Sequence, residues 1–172
     1  MKNRWFHFIQ LTLCSFMVLA LTSSCQSPVP TNTQNEQYPA DISGRVIIAG
    51  FLSEQGSIYS PPNDETFWVV DITFTNKAYE LPDISGYDHW NVVAGDKYYW
   101  IPELLKMDKL PLLFVPSGQT EKKVVCFQVP SGLKLRDTRL YYQAQKLVSF
   151  GPLTGGEKAA GYDWGSKTVV NK

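Results

Sequence analysis

The clearest pattern in the chain is the alternation of Phe67-Trp68-Val69-Val70-Asp71-Ile72-Thr73-Phe74-Thr75. Trp68, Val70, Ile72 and Phe74 share one face, while Asp71, Thr73 and Thr75 share the other, which predicts a half-buried strand. Residues 122–129 alternate likewise, grouping Val125, Phe127 and Val129, and residues 139–148 place Leu140 and Tyr142 inward. Residues 45–51 are rich in β-branched side chains, as strands are. Residues 90–93 and 97–101 flank an Ala94-Gly95-Asp96 turn, and residues 112–115 form a short apolar run ended by Pro116-Ser117-Gly118. Only residues 102–109 have the makings of helical turns. Roughly seven short strands, with turn residues at intervals of about ten, predict an all-β antiparallel sandwich of immunoglobulin-like type over 42–150. No sustained helical periodicity supports a βαβ arrangement. The stretch 151–172, with Gly151, Gly155, Gly156, Gly161 and Gly165, reads as a Gly-rich mobile tail that Tyr162 and Trp164 could pin down.

The start of the chain follows a different pattern. Lys2 and Arg4 precede a mostly apolar run to Leu21, and Thr22, Ser23 and Ser24 lead into Cys25. A positive start, an apolar middle and a small-residue end form the layout of a signal peptide over 1–24. His7, Gln10 and Thr12 interrupt the apolar run, which falls short of the roughly 20 residues that span a bilayer. Residues 26–40 are polar, punctuated by Pro28, Pro30 and Pro39, and too poor in large apolar side chains to build a core. They read as a flexible linker, 25–41, with a typical reach of roughly 20 Å.

The segment Leu21-Thr22-Ser23-Ser24-Cys25 resembles a bacterial lipobox, although the family prefers Leu where this chain has Thr22. The resemblance implies that Cys25 becomes the mature N-terminus and carries acyl chains, anchoring the protein to the cell membrane or outer membrane. More than one chain makes such anchoring stable. Gln26 resembles the non-acidic residue that accompanies outer-membrane sorting. Cleavage near Ser24 to give a secreted protein, and an uncleaved membrane anchor, are the alternatives.

Charge and cysteine usage narrow the class. The chain balances 16 Lys+Arg against 16 Asp+Glu, and the first 24 residues hold Lys2 and Arg4 without an acid, leaving a net charge of −2 on the remainder. Such a balance, without a basic cluster, excludes nucleic acid as an expected partner. With Cys14 removed and Cys25 lipidated, Cys126 has no intramolecular disulfide partner. The residue shares a strand face with Gln128 and is expected to be partly exposed or a small core residue.

Three segments carry a further likeness: residues 69–76 (Val-Val-Asp-Ile-Thr-Phe-Thr-Asn), 115–120 (Val-Pro-Ser-Gly-Gln-Thr) and 125–130 (Val-Cys-Phe-Gln-Val-Pro). They resemble a telokin-like, immunoglobulin-type extracellular domain of bacterial lipoproteins. That resemblance covers about half the chain and implies an exported sandwich with no catalytic residues to transfer.

Candidate chemistry is sparse. Asp83, Ser85, Asp88 and His89 supply the letters of a Ser-His-Asp triad inside one loop, but triad members normally come from separate elements. No Gly-x-Ser-x-Gly elbow is present. Asp83, Asp88 and Asp96 lie at turns, where acidic residues cap backbone more often than they bind Ca²⁺. One histidine and one thiol cannot fill a zinc site. No enzyme activity, catalytic residue, metal or cofactor is therefore expected. The remaining signal is an aromatic concentration, from which Tyr87, Trp90, Tyr98 and Trp100 are the candidate partner-binding residues. The expected role is a membrane-anchored module that binds an envelope protein or glycan; the alternatives are a structural or stress-related envelope lipoprotein without a discrete ligand and, second, an envelope enzyme with His89 as its main candidate.

Overall fold

The computed structural model describes residues 40–102, 112–144 and 147–171. The signal segment, Cys25, nearly all of the linker and the helical turns expected after Pro102 lie outside the described residues. Among the described residues the fold is all-β, with strands in two sheets. The larger sheet contains β1 (Ala40–Ala49), β4 (Glu65–Asn76), β5 (Trp90–Ala94), β6 (Lys97–Tyr99), β7 (Thr120–Pro130), β8 (Arg139–Ala144) and β9 (Leu147–Ala159). The smaller contains β2 (Leu52–Glu54), β3 (Ser57–Tyr59), β10 (Gly161–Asp163) and β11 (Thr168–Val170).

The large sheet runs β6-β5-β8-β9-β1-β4-β7. It curls until side chains from its two halves meet. Phe74 on β4 reaches Trp90 on β5 (ring centroids 6.2 Å apart) and Tyr142 on β8 (5.1 Å), both edge-on. These contacts follow from the alternation of β4: Trp68, Val70, Ile72 and Phe74 are all buried. Val125, Phe127, Val129, Leu140 and Tyr142 join the same core from β7 and β8. Fully burying side chains of this size stabilises the fold by about 1.5–3 kcal/mol each.

Two expectations need correction. The sheet is mixed, not wholly antiparallel: β1 pairs antiparallel with β4 but parallel with β9. The stretch after Gly151 is not a tail appended to the sheet, because its first half belongs to β9, between β8 and β1. Gly155 and Gly156, at φ 84° and 93°, let β9 take up an extra residue where its register with β1 shifts between Val46 and Ile47. That is a bulge, and the left-handed backbone suits glycine. The alternating stretch 139–148 therefore divides into β8 and the start of β9. Residues 112–115 contribute a single bridge, Phe114 with Asp83.

The small sheet accounts for a second apolar layer. On the outer face of β1, β4 and β7, Ala49, Phe67, Val69 and Cys126 are as buried as the inner face. Tyr162 on β10 lies near enough to Asp71 and Cys126 to feel their charge, and Tyr162 and Trp164 are themselves buried. The bond from Gly50 to Ala160 carries the β1–β9 pairing on toward the small sheet, and those from Tyr162 to Phe51 and Trp164 to Ser53 join β10 to β2 within it. Cys126 is consequently fully buried, and burial pushes its thiol well above the usual range.

Candidate functional site

The small sheet shields the outer face of only one half of the curled sheet. On the other half, strand register decides which aromatics look outward. Trp90 pairs with Tyr142 and Val92 with Leu140, so Trp90 and Val92 face the core, and Asn91 and Val93 face out. Val93 pairs with Tyr98, which places Tyr98 outward and Tyr99 inward. Tyr141 pairs with Phe150 on the same outer face.

The result is a row of aromatic rings crossing β6, β8 and β9. Trp100 is 54% exposed and stacks on Tyr98, 47% exposed, with centroids 6.5 Å apart and planes 26° from parallel. Tyr98 meets Tyr141 edge-on at 5.6 Å, and Tyr141 meets Phe150 edge-on at 5.1 Å. Phe150 closes the row at 43% exposure. Tyr141 is nearly covered by its neighbours; burial, then the adjacent Tyr98, pushes its phenol above the usual range. Its hydroxyl donates to Gln143 at 3.0 Å. Rings held edge to face and offset gain about 0.5–1.5 kcal/mol beyond the area they bury, so the row is preorganised. Asn91, 1% exposed, sits directly opposite Tyr141, and its buried Oδ1 has no hydrogen-bond partner among the described residues.

Of the four candidate residues, Tyr98 and Trp100 thus belong to one exposed row. Trp90 does not: it is 0% exposed, with its ring 4.7 Å from Tyr142 and its indole N–H donating to Ile84 O at 3.1 Å. It is a core residue and takes no part in the exposed surface. Tyr87 packs partly buried against the core beneath the Lys123 ammonium, 5.1 Å from its ring centre. The sequence reading missed Tyr141 and Phe150. Their alternation with Leu140 and Gly151 was the available signal, but it required knowing that β8 and β9 are neighbours.

The triad letters assemble a loop clasp. Ser85 Oγ donates to Asp83 Oδ1 at 2.6 Å, and the Ser85 and Leu113 N–H groups donate to the same oxygen. Burial, the largest single influence, pushes the Asp83 carboxyl up. The bonds from Ser85 and Leu113, with the nearby His89, outweigh it and hold the carboxyl below its usual value. His89 meets the Asp83 backbone carbonyl at 3.2 Å, and the Ser85 hydroxyl is committed to the carboxylate. Nucleophilic activation needs the serine bonded to the histidine, so this geometry performs no acyl transfer. Lys123 donates to the Ile84 and Ser85 carbonyls; burial pushes it down to about 8, against the attraction of Asp83. Among the described residues no group of three or more His, Cys, Asp or Glu could hold a metal ion.

Beside Phe150 lies an open groove of about 390 Å³. Its lining includes Leu135, Arg136 and Arg139 together with Phe150 and Pro152. No protein-family model, curated protein or solved structure matches the chain.

Proposed function

We propose that the protein is a non-enzymatic binding module, exported and lipid-anchored through Cys25, that meets an envelope protein or glycan with the outer face of β5, β6, β8 and β9. The observation that carries this reading is the row Trp100, Tyr98, Tyr141 and Phe150, three of whose rings stay half exposed on a face that the small sheet leaves open. Ordered, exposed Trp and Tyr are the residue types that dominate binding hot spots. The lipid anchor rests on the residues before Cys25, and the polar linker would hold the domain clear of the membrane surface.

We also infer that the curled sheet is an immunoglobulin-like sandwich. Its support is the strand order: β6-β5-β8-β9 matches one half of such a sandwich, β7-β4-β1 the other, with the first strand bridging both. A buried tryptophan stands on the strand corresponding to the third of that fold. Here that tryptophan is Trp90 on β5, packed on Phe74 and Tyr142 where a disulfide often lies.

The test is capture of the envelope partner on intact cells by the wild type and by Tyr98→Ala and Trp100→Ala. Both variants should stay folded, with a thermal midpoint lowered by no more than about 10 °C, and lose roughly thirtyfold in affinity, the equivalent of a 2 kcal/mol hot spot. Undiminished capture by both would remove this face from the account.

A further inference from the structure

The aromatic row does not end at Phe150 but runs into the groove beside it, and the charge there is one-sided. Arg139 is exposed on the same outer face as Tyr141 and has no ion-pair partner among the described residues. Among the described residues Arg136 is held only by its neighbour Asp137, at 3.6 Å, with both side chains largely exposed. An exposed pair of this kind contributes little and leaves the guanidinium free to turn. The planar fork of arginine matches a carboxylate with two parallel hydrogen bonds.

The wall that carries these arginines is fixed. Thr138 Oγ1 donates to Leu135 O at 2.7 Å, and the Thr138 N–H donates to the same carbonyl at 3.0 Å. Leu135 lies over Gly156, where a side chain would meet Leu135 Cδ1 at 2.5 Å. Phe150 and Pro152, on the outer face of β9, give the groove its apolar surface, and its 390 Å³ suits a single small ring.

We propose that this groove binds a carboxylate-bearing sugar unit of an acidic saccharide, with Arg139 and Arg136 on the carboxylate and Phe150 against the ring. The proposal rests on the reading of this face as a binding surface and deepens it by naming the ligand class. A saccharide is favoured over a peptide because the groove opens on the side-chain face of paired strands. Extended peptides instead add to sheet edges through main-chain hydrogen bonds. Further units of the same saccharide would continue along Tyr141, Tyr98 and Trp100.

The experiment is calorimetric titration of the purified protein with tetragalacturonate, maltotetraose and a Glu-rich peptide of equal charge. Tetragalacturonate should bind saturably, Arg139→Gln should weaken it about tenfold, Arg136→Gln less, and the neutral sugar should bind far more weakly. The Arg139→Gln variant should retain the wild-type thermal midpoint, since its side chain is exposed. Equal binding of maltotetraose, tighter binding of the peptide, or tetragalacturonate affinity unchanged by Arg139→Gln would each overturn the proposal. So would no binding at all. If Trp100→Ala still weakens partner capture on cells in that event, the binding face stands and only the acidic saccharide falls.

Discussion

Trp90 and Trp100 are ten positions apart in the same aromatic stretch, and the fold gives them opposite duties. Replacing Trp90 by Ala empties a fully buried site between Phe74, Tyr142 and the Ile84 carbonyl. Large-to-small substitution of a buried tryptophan costs about 3–5 kcal/mol, a large share of the roughly 5–15 kcal/mol that holds a domain together. The thermal midpoint should fall on the order of 10–20 °C. Trp90→Phe should cost only about 1–2 kcal/mol. The Ile84 carbonyl keeps the Lys123 ammonium at 3.1 Å when the indole N–H is lost, so no acceptor is orphaned. Trp100→Ala, which loses only the stacking on Tyr98 at a half-exposed position, should cost about 0.5–1.5 kcal/mol. Urea denaturation followed by circular dichroism measures all three. A Trp90→Ala variant as stable as wild type, or a Trp100→Ala variant weakened by more than about 2 kcal/mol, would refute the division of the aromatics into core and surface.

Other consequences can be measured on the same protein. Cys126, buried under the small sheet with its thiol pushed up, should resist alkylation in the native state and react once urea unfolds the chain; rapid native labelling would contradict its placement. Gly151→Ala should destabilise strongly, because the new methyl would stand 2.0 Å from the Ile42 carbonyl oxygen; a neutral result would argue that β9 does not lie beside β1 at this point. Burial, then the charges of Asp71, Cys126 and Asp163, pushes the Tyr162 phenol up to about 12. Its folded value exceeds the unfolded value of about 10, so its contribution is complete below pH about 10 and is lost as pH rises toward about 12. The urea midpoint should decline across that window in the wild type and decline less in Tyr162→Phe.

The alternation of β4, β7 and β8 made the inner core legible: Val70, Phe74, Phe127, Leu140 and Tyr142 are all buried as their spacing implies. The outer layer was harder to see because burial there depends on distant strands. Phe67, Val69 and Cys126 occupy positions that alternation assigns to solvent, and β10, supplied from the end of the chain, covers them. An unbroken apolar run from Phe67 to Val70 was the local sign that both faces are covered. Gly155 and Gly156 suggested looseness because composition does not distinguish a flexible glycine from one required by a bulge. The clustering of Tyr98 and Trp100 was visible in sequence, but Trp90 joined them until register separated the faces. Phe150 and Arg139 became part of the surface only through the pairing of β8 with β9.

The most direct test of the binding face is site-specific photocrosslinking on intact cells, with a photoreactive aromatic amino acid in place of Tyr98 or, as a control, of Ile58. Ile58 is 69% exposed but lies on the small sheet, away from the aromatic row. The account predicts a discrete adduct from position 98 and none above background from position 58. A discrete adduct from position 58 alone would contradict it.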